Sequence, residues 1–290
     1  MKKAEKVASV TIPIALLIGI LIAVAGSQYG NTYNGLPVFG LVVAIAFFTQ
    51  VVAFIPAFIS QTEKYYDITG TMTYVLTTLI AMFLASSLDT RSLLLGSLVL
   101  IWTLRLGIFL FKRINKAGKD IRFDNLKPSF IRFLNAWVLQ GLWVTFTAGA
   151  TLTAISSNNL VAFGSIGLIG LIIWITGFTI EVKADNQKRK FNADLSNKNK
   201  FINTGLWSRS RHPNYFGEIL LWFGIAVIAF PVLKGSQLFT LVSPLFVYIL
   251  LTRGSGVPLL EKKADKTWGG DPGYEEYKDS TPILFPKLFS

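Results

Sequence analysis

FLNAWVLQGLWVTFTAGATLTAISSNNLVAFGSIGLIGLIIWITGFTI, residues 133–180, runs without a single Lys, Arg, Asp or Glu. At 1.5 Å per residue a helix needs about 20 residues to cross a ~30 Å hydrocarbon core, so this stretch holds two crossings. The polar Ser156-Ser157-Asn158-Asn159 in its middle marks the turn between them. Working outward, 36–59, 68–88 and 92–104 are equally free of charge, and 215–233 carries Glu218 alone. The 290 residues are 52% hydrophobic and 15% charged, with a mean hydropathy of +0.51; soluble domains carry roughly 25% charged residues. A soluble globular fold is excluded.

The candidate spans are 7–25, 37–59, 69–88, 92–111, 132–155, 162–181, 215–231 and 236–252. The expected fold is all-α, a polytopic integral membrane helix bundle of about eight transmembrane helices. The last two spans are short and separated only by Pro231 to Ser236, so a deep hairpin, giving seven crossings, is the alternative. Lys2 and Lys3 before the apolar run 7–25 resemble the start of a secretory signal, but the run is longer than the usual signal core and reads as a retained first helix.

Sidedness follows from the basic residues. An inward N-terminus gathers Lys2, Lys3, Lys6 and Lys64 on the cytoplasmic side, together with the loops 112–131 and 182–214 and the tail 253–290. The opposite loops are nearly neutral: 26–36 and 156–161 hold no charge, Asp89 faces Arg91, and Lys234 stands alone. Both termini are therefore expected in the cytoplasm. The net charge of +12 is explained by this topology rather than by nucleic acid, since the basic residues sit between apolar spans. No cysteine and a single histidine, His212, exclude disulfides, thiolate zinc sites, iron–sulfur clusters and multi-histidine metal or haem ligation. No metal site is expected. The absence of both a Gly-x-Gly-x-x-Gly turn and a strand pattern excludes a Rossmann site. The chain reads as one membrane domain.

The chemistry concentrates in Gly205-Leu206-Trp207-Ser208-Arg209-Ser210-Arg211-His212-Pro213-Asn214-Tyr215-Phe216-Gly217-Glu218, where a basic loop runs straight into an apolar helix. Pro213 suits a first helical turn. The free N–H groups of that turn and the arginines before it offer a place for phosphate. Asn214 and Glu218, four apart, share one face of the helix. An acid at the bilayer boundary is costly and so a functional candidate. Anchoring of the helix end to anionic lipid accounts for Arg209 and Arg211, but not for the pair Asn214 and Glu218.

The run 210–218 resembles the signature of the bacterial, DUF1295-like branch of the steroid 5α-reductase family, integral-membrane NADPH-dependent reductases of carbon–carbon double bonds. Glu181 with Ala184-Asp185-Asn186-Gln187-Lys188 and Phe191 is similar to the family's stretch upstream, and Ser255-Gly256-Val257-Pro258-Leu259-Leu260-Glu261 with Tyr274, Tyr277 and Pro282 to its C-terminal end. The likeness leaves out the first two spans, 1–60, and implies a reductase-like core over 61–290. It implies NADPH as cofactor, held by Asp185, Asn214, Glu218, His212, Arg189, Arg209 and Arg211, with Tyr277 from the tail. Arg105, in a helix position where the family has an arginine, joins this set, as do Arg113 and Arg122 in the charge-dense loop that follows. Where the animal enzymes carry a histidine–arginine cluster near the chain end, this sequence has Glu261, Lys262 and Lys263.

For the substrate carbonyl, the family's glutamate position falls near Asp67 and its tyrosine position on Trp102, a departure that leaves Tyr65 or Tyr66 to supply the phenol. Read without the family, Asp67 is also explained as an acid favoured at a helix N-terminus, and Arg105 as a residue that snorkels to the inner surface. The implied reaction delivers hydride to the β-carbon of an enone while the carbonyl oxygen gains charge beside Asp67 or a tyrosine, followed by protonation of the α-carbon. The expected partners are the bilayer and an apolar enone lipid or steroid-like substrate, with the cofactor site facing the cytoplasm of a bacterial inner membrane. The competing reading is a methyltransferase of the isoprenylcysteine type using S-adenosylmethionine, whose Arg-His-Pro-x-Tyr-x-Gly run lacks the Asn before the Tyr and the Glu after the Gly.

Overall fold

The computed structural model describes residues 3–254 and 256–287; Lys2 and Ser255, both used above, lie outside them. The chain is a polytopic helical membrane protein. Its main helices are α1 (Lys3–Ser27), α2 (Val38–Ile59), α3 (Tyr66–Leu84), α4 (Thr90–Ala117), α5 (Phe130–Ile155), α6 (Ser165–Ala193) and α7 (Pro213–Ala229). A 3₁₀ segment Gly235–Val242 leads into α8 (Ser243–Ile249) and a π turn, and the tail forms α9 (Val257–Trp268) and α10 (Pro272–Ser280). Among the described residues eight helical segments are long and apolar enough to cross a bilayer, the last two being Pro213–Val232 and Gly235–Trp268.

The chain divides into two compact units, Met1–Gly167 with Ile228–Ser243, and Leu168–Val227 with Pro244–Ser290. In the first, α5 is the central helix, buried along most of its length with α1, α2, α3 and α4 packed against it. From Phe133 onward it belongs to the charge-free stretch 133–180, and a helix without a charged face has little to turn outward. Its threonines satisfy their hydroxyls on carbonyls one turn back, as Thr145 does on Gly141 at 2.9 Å.

Loops expected on one side of the bilayer bond to one another. At one set of helix ends the Asn31 N–H donates to the Ser156 carbonyl at 2.7 Å, the Asn158 N–H to Tyr29 at 3.0 Å, and the Ser236 hydroxyl to Ala25 at 2.8 Å. Arg91, read above as facing Asp89, lies buried and donates to the carbonyls of Ile228 at 2.6 Å and Ala162 at 2.8 Å. Asp89 meanwhile caps α4 by accepting from the Ser92 N–H at 2.8 Å. At the other set of helix ends the Ser129 hydroxyl donates to Glu5 at 2.9 Å, and buried Glu63 pairs with Lys127 at 2.6 Å. Burial opposes the Glu63 charge, but the Lys127 ammonium and the Asp120 N–H outweigh it and hold the carboxyl below its usual range.

Two local differences from the sequence reading have plain causes. A two-residue-strand hairpin, Thr32–Tyr33 against Leu36–Pro37, turns through Asn34 and Gly35 at φ 49° and 79°, the positive values an Asn-Gly hairpin turn requires. Two helix ends also run past the apolar spans. α4 continues to Ala117 and stops at Gly118, φ 78°, and α6 continues through its charged stretch to Ala193, because in water spaced charges favour helix as readily as they signal a loop.

In the second unit α6 and α7 cross with backbone against backbone. A Cβ built on Gly177 would lie 2.6 Å from the Gly217 carbonyl oxygen, one on Gly217 would lie 2.6 Å from the Glu181 nitrogen, and one on Gly224 would lie 2.6 Å from the Trp174 nitrogen. Small residues permit this approach where apolar surface alone gives no drive for helices to associate in lipid. Gly217→Ala is expected to cost about 1–3 kcal/mol by forcing the helices apart, while Gly164→Ala, whose Cβ meets nothing within 4 Å, is the neutral comparison; unfolding of the detergent-solubilised variants measures both.

Candidate functional site

The loop between α6 and α7 is fixed by packing on the charged end of α6. Ile202 and Trp207 bury against Ala184, with Phe191 and Leu206 beside them. The Trp207 indole N–H donates to the Ala184 carbonyl at 3.1 Å and the Leu206 N–H to the Gln187 side-chain oxygen at 3.0 Å. Lys188 lies with its ammonium 4.5 Å from the Trp207 ring centre. The tail closes over the loop: the Tyr277 hydroxyl donates to the Trp207 carbonyl at 2.7 Å, the Arg211 N–H to Pro282 at 2.9 Å, and the Ser210 hydroxyl to Leu284 at 2.8 Å. Pro213 then opens α7 in its first turn.

This arrangement brings several of the expected residues together. The Asn214 amide donates to the Asp185 carboxylate at 3.3 Å, joining the start of α7 to α6. Glu218 is half-buried one turn further along α7. Glu261 of α9 gathers the two residues before Pro213, with Arg211 Nη1 at 2.6 Å from one carboxylate oxygen and His212 Nε2 at 2.7 Å from the other. Tyr215 stacks on the His212 ring, centroids 5.6 Å apart. A histidine and an arginine do meet near the chain end, but they come from 211–212 and converge on the carboxylate of Glu261. Arg189 is exposed and donates to Asn186 at 3.0 Å, and Arg209 is exposed. Lys188 and Glu261 were not among the residues singled out as ligands. A lysine one turn from Asp185 was the available signal for the first, whereas the second meets His212 from 49 positions away.

The first unit holds the other candidates. Asp67, in the first turn of α3, meets Arg113 at 3.4 Å, and Arg122 grips Asp120 through Nε at 2.9 Å. Tyr66 donates to the Ala136 carbonyl at 3.0 Å within an aromatic cluster of Phe123 and Trp137. Arg105 is half-buried, its guanidinium 5.9 Å from the Phe109 ring centre. Trp102 is buried and edge-on to Tyr74 at 5.4 Å, and the Tyr74 hydroxyl bonds that of Thr147. Tyr74 is thus a buried phenol beside Trp102 that the sequence reading passed over among the threonines of α3. An apolar groove of about 780 Å³ between α1 and α2 shares no residue with these clusters.

The family model for proteins of unknown function DUF1295 matches residues 53–281. The chain belongs to this family. Its description names no activity, and the match leaves out α1 and most of α2. An uncharacterized protein of Schizosaccharomyces pombe is 26% identical over 228 residues, 68% of this chain. The chain matches 64% of that relative's length. No solved structure matches it.

Burial pushes the His212 imidazole below its ordinary value, against the raising pull of Glu261, with the Lys188 and Arg211 cations adding to the decrease. A base whose folded-state value is depressed contributes stability above its unfolded value and loses it as pH falls through the folded one. The protein is therefore expected to lose stability as pH drops below about 6.5, and His212→Gln to flatten that part of the profile, read as melting temperature against pH.

Proposed function

We propose that this chain is a membrane-embedded, NADPH-dependent reductase of a polarised carbon–carbon double bond, with its cofactor site on the cytoplasmic side of a bacterial inner membrane. The observation that carries the reading is the Asn214–Asp185 contact beside the Arg211–His212–Glu261 cluster. It joins the residues for which the resemblance to the steroid 5α-reductase family implies a cofactor role. The residues fit such a group. Carboxylate and amide oxygens at 185 and 214 suit ribose hydroxyls, and Lys188, Arg189 and Arg209 suit phosphates. Among the described residues His212 Nδ1 and the Nε and Nη1 of Arg211 are buried with no hydrogen-bond partner, the state of groups that await a polar ligand.

When bound, reduced nicotinamide supplies the hydride. The chain's own task is to hold the dinucleotide through these residues and to stabilise charge on the substrate oxygen. For the latter, the resemblance implies Asp67 with a phenol from Tyr65 or Tyr66. Preorganised donors in a water-poor site are the usual source of such stabilisation. An apolar enone lipid or steroid-like molecule suits entry from the bilayer.

Purified protein in lipid, titrated with NADPH, NADH and S-adenosylmethionine while melting is followed, separates the readings. NADPH at a hundred times its dissociation constant is expected to add about 2.7 kcal/mol of stability, and Asn214→Ala and Asp185→Ala to remove the gain. A shift with S-adenosylmethionine and none with the nicotinamide nucleotides would instead make the protein a methyltransferase.

A further inference from the structure

We infer that Glu261 is a positioning residue that fixes the tautomer of His212, leaving His212 Nδ1 as the acceptor for a ribose hydroxyl of the bound nucleotide; the ribose half of this rests on the proposed nucleotide site. Three observations combine. First, His212 Nε2 stands 2.7 Å from a Glu261 carboxylate oxygen. An ionised carboxylate only accepts, so the ring proton sits on Nε2 and donates. Second, the imidazole is 5% exposed, and its Nδ1 has no hydrogen-bond partner among the described residues. A buried lone pair left without a donor is unfavourable, which marks it as a group completed by a ligand. Third, the neighbouring Arg211 forms an ion pair through Nη1 with the other oxygen of the same carboxylate at 2.6 Å, while among the described residues its Nε and Nη1 are both buried without a hydrogen bond.

Glu261 thus pairs with two adjacent residues by their far ends and leaves one unmet acceptor, His212 Nδ1, beside unmet donors on Arg211. A hydroxyl both donates and accepts, and the vicinal hydroxyls of a ribose answer both demands from neighbouring oxygens. The same carboxylate keeps Arg211 from serving as a free phosphate cation, which leaves that part to the lysine and arginines outside the triad. Ribose occurs in pyridine dinucleotides and in S-adenosylmethionine alike, so the contact follows from the nucleotide and not from the reaction.

His212 is the only histidine of the chain, so ¹⁵N-histidine labelling gives one ring to observe. In ligand-free protein at near-neutral pH the two-bond couplings are expected to show Nε2 protonated and Nδ1 bare. Glu261→Ala is expected to release the ring into exchange between tautomers, and Glu261→Gln, which keeps an acceptor oxygen, to preserve the tautomer. A protonated Nδ1 in the unsubstituted protein overturns the inference without any variant having to fold, and so does an unchanged tautomer in Glu261→Ala. For the ribose, NADPH and S-adenosylmethionine are added in separate arms. The ligand that binds is expected to shift the Nδ1 resonance, and its affinity to fall about tenfold in Glu261→Ala, the loss of one well-placed hydrogen bond. Binding with Nδ1 unmoved overturns the ribose contact alone. Binding of neither ligand overturns that contact and the nucleotide site together, while the tautomer stands or falls on the free-protein spectrum.

Discussion

Everything chemical in the second unit depends on how closely α6 and α7 approach. Gly177, Gly217 and Gly224 let the two backbones touch, and this contact runs along the bilayer-spanning parts of the helices toward their polar ends. Asp185 stands two turns beyond Gly177, and Asn214 three residues before Gly217. With the helices a side chain's width further apart, a 3.3 Å amide-to-carboxylate contact would not form. The constraint is steric and local, and it is imposed where lipid offers no solvophobic force to close a gap.

The polar ends are then finished by packing from soluble segments. Trp207, Tyr277 and the tail residues 282–287 hold the loop 201–212 against α6 through an indole, a phenol and backbone bonds. Acids and bases are placed in pairs: Glu261 with Arg211 and His212, Glu63 with Lys127, Asp120 with Arg122 and Asp67 with Arg113. Pairing of this kind leaves few charges unanswered at the edge of a low-dielectric region, where an isolated one is expensive.

The membrane architecture was legible because exclusion of charge over bilayer-length windows is a strong and repeated signal. The stretch 133–180 alone announced two crossings. Helix ends were less legible. Asp185, Lys188 and Arg189 read as the start of a loop, although their spacing is equally that of a solvated helix, which α6 proves to be as far as Ala193. The candidate site was readable as a motif around 205–218 but not as geometry. The meeting of His212 with Glu261 and that of Trp102 with Tyr74 are tertiary facts with no local periodicity to betray them, and the hairpin at Asn34-Gly35 is so short that only its turn carries a signal.

The account's central claim is that a nucleotide sits on the polar end of α6 at the face that carries Asp185. Because the chain has no cysteine, single cysteines placed in turn at 182–193 can be labelled with a membrane-impermeant maleimide, with and without NADPH. Protection by the nucleotide is predicted to recur every three to four positions, in phase with residue 185. Labelling that NADPH leaves unchanged along the whole segment, or slows equally at every position, would contradict it.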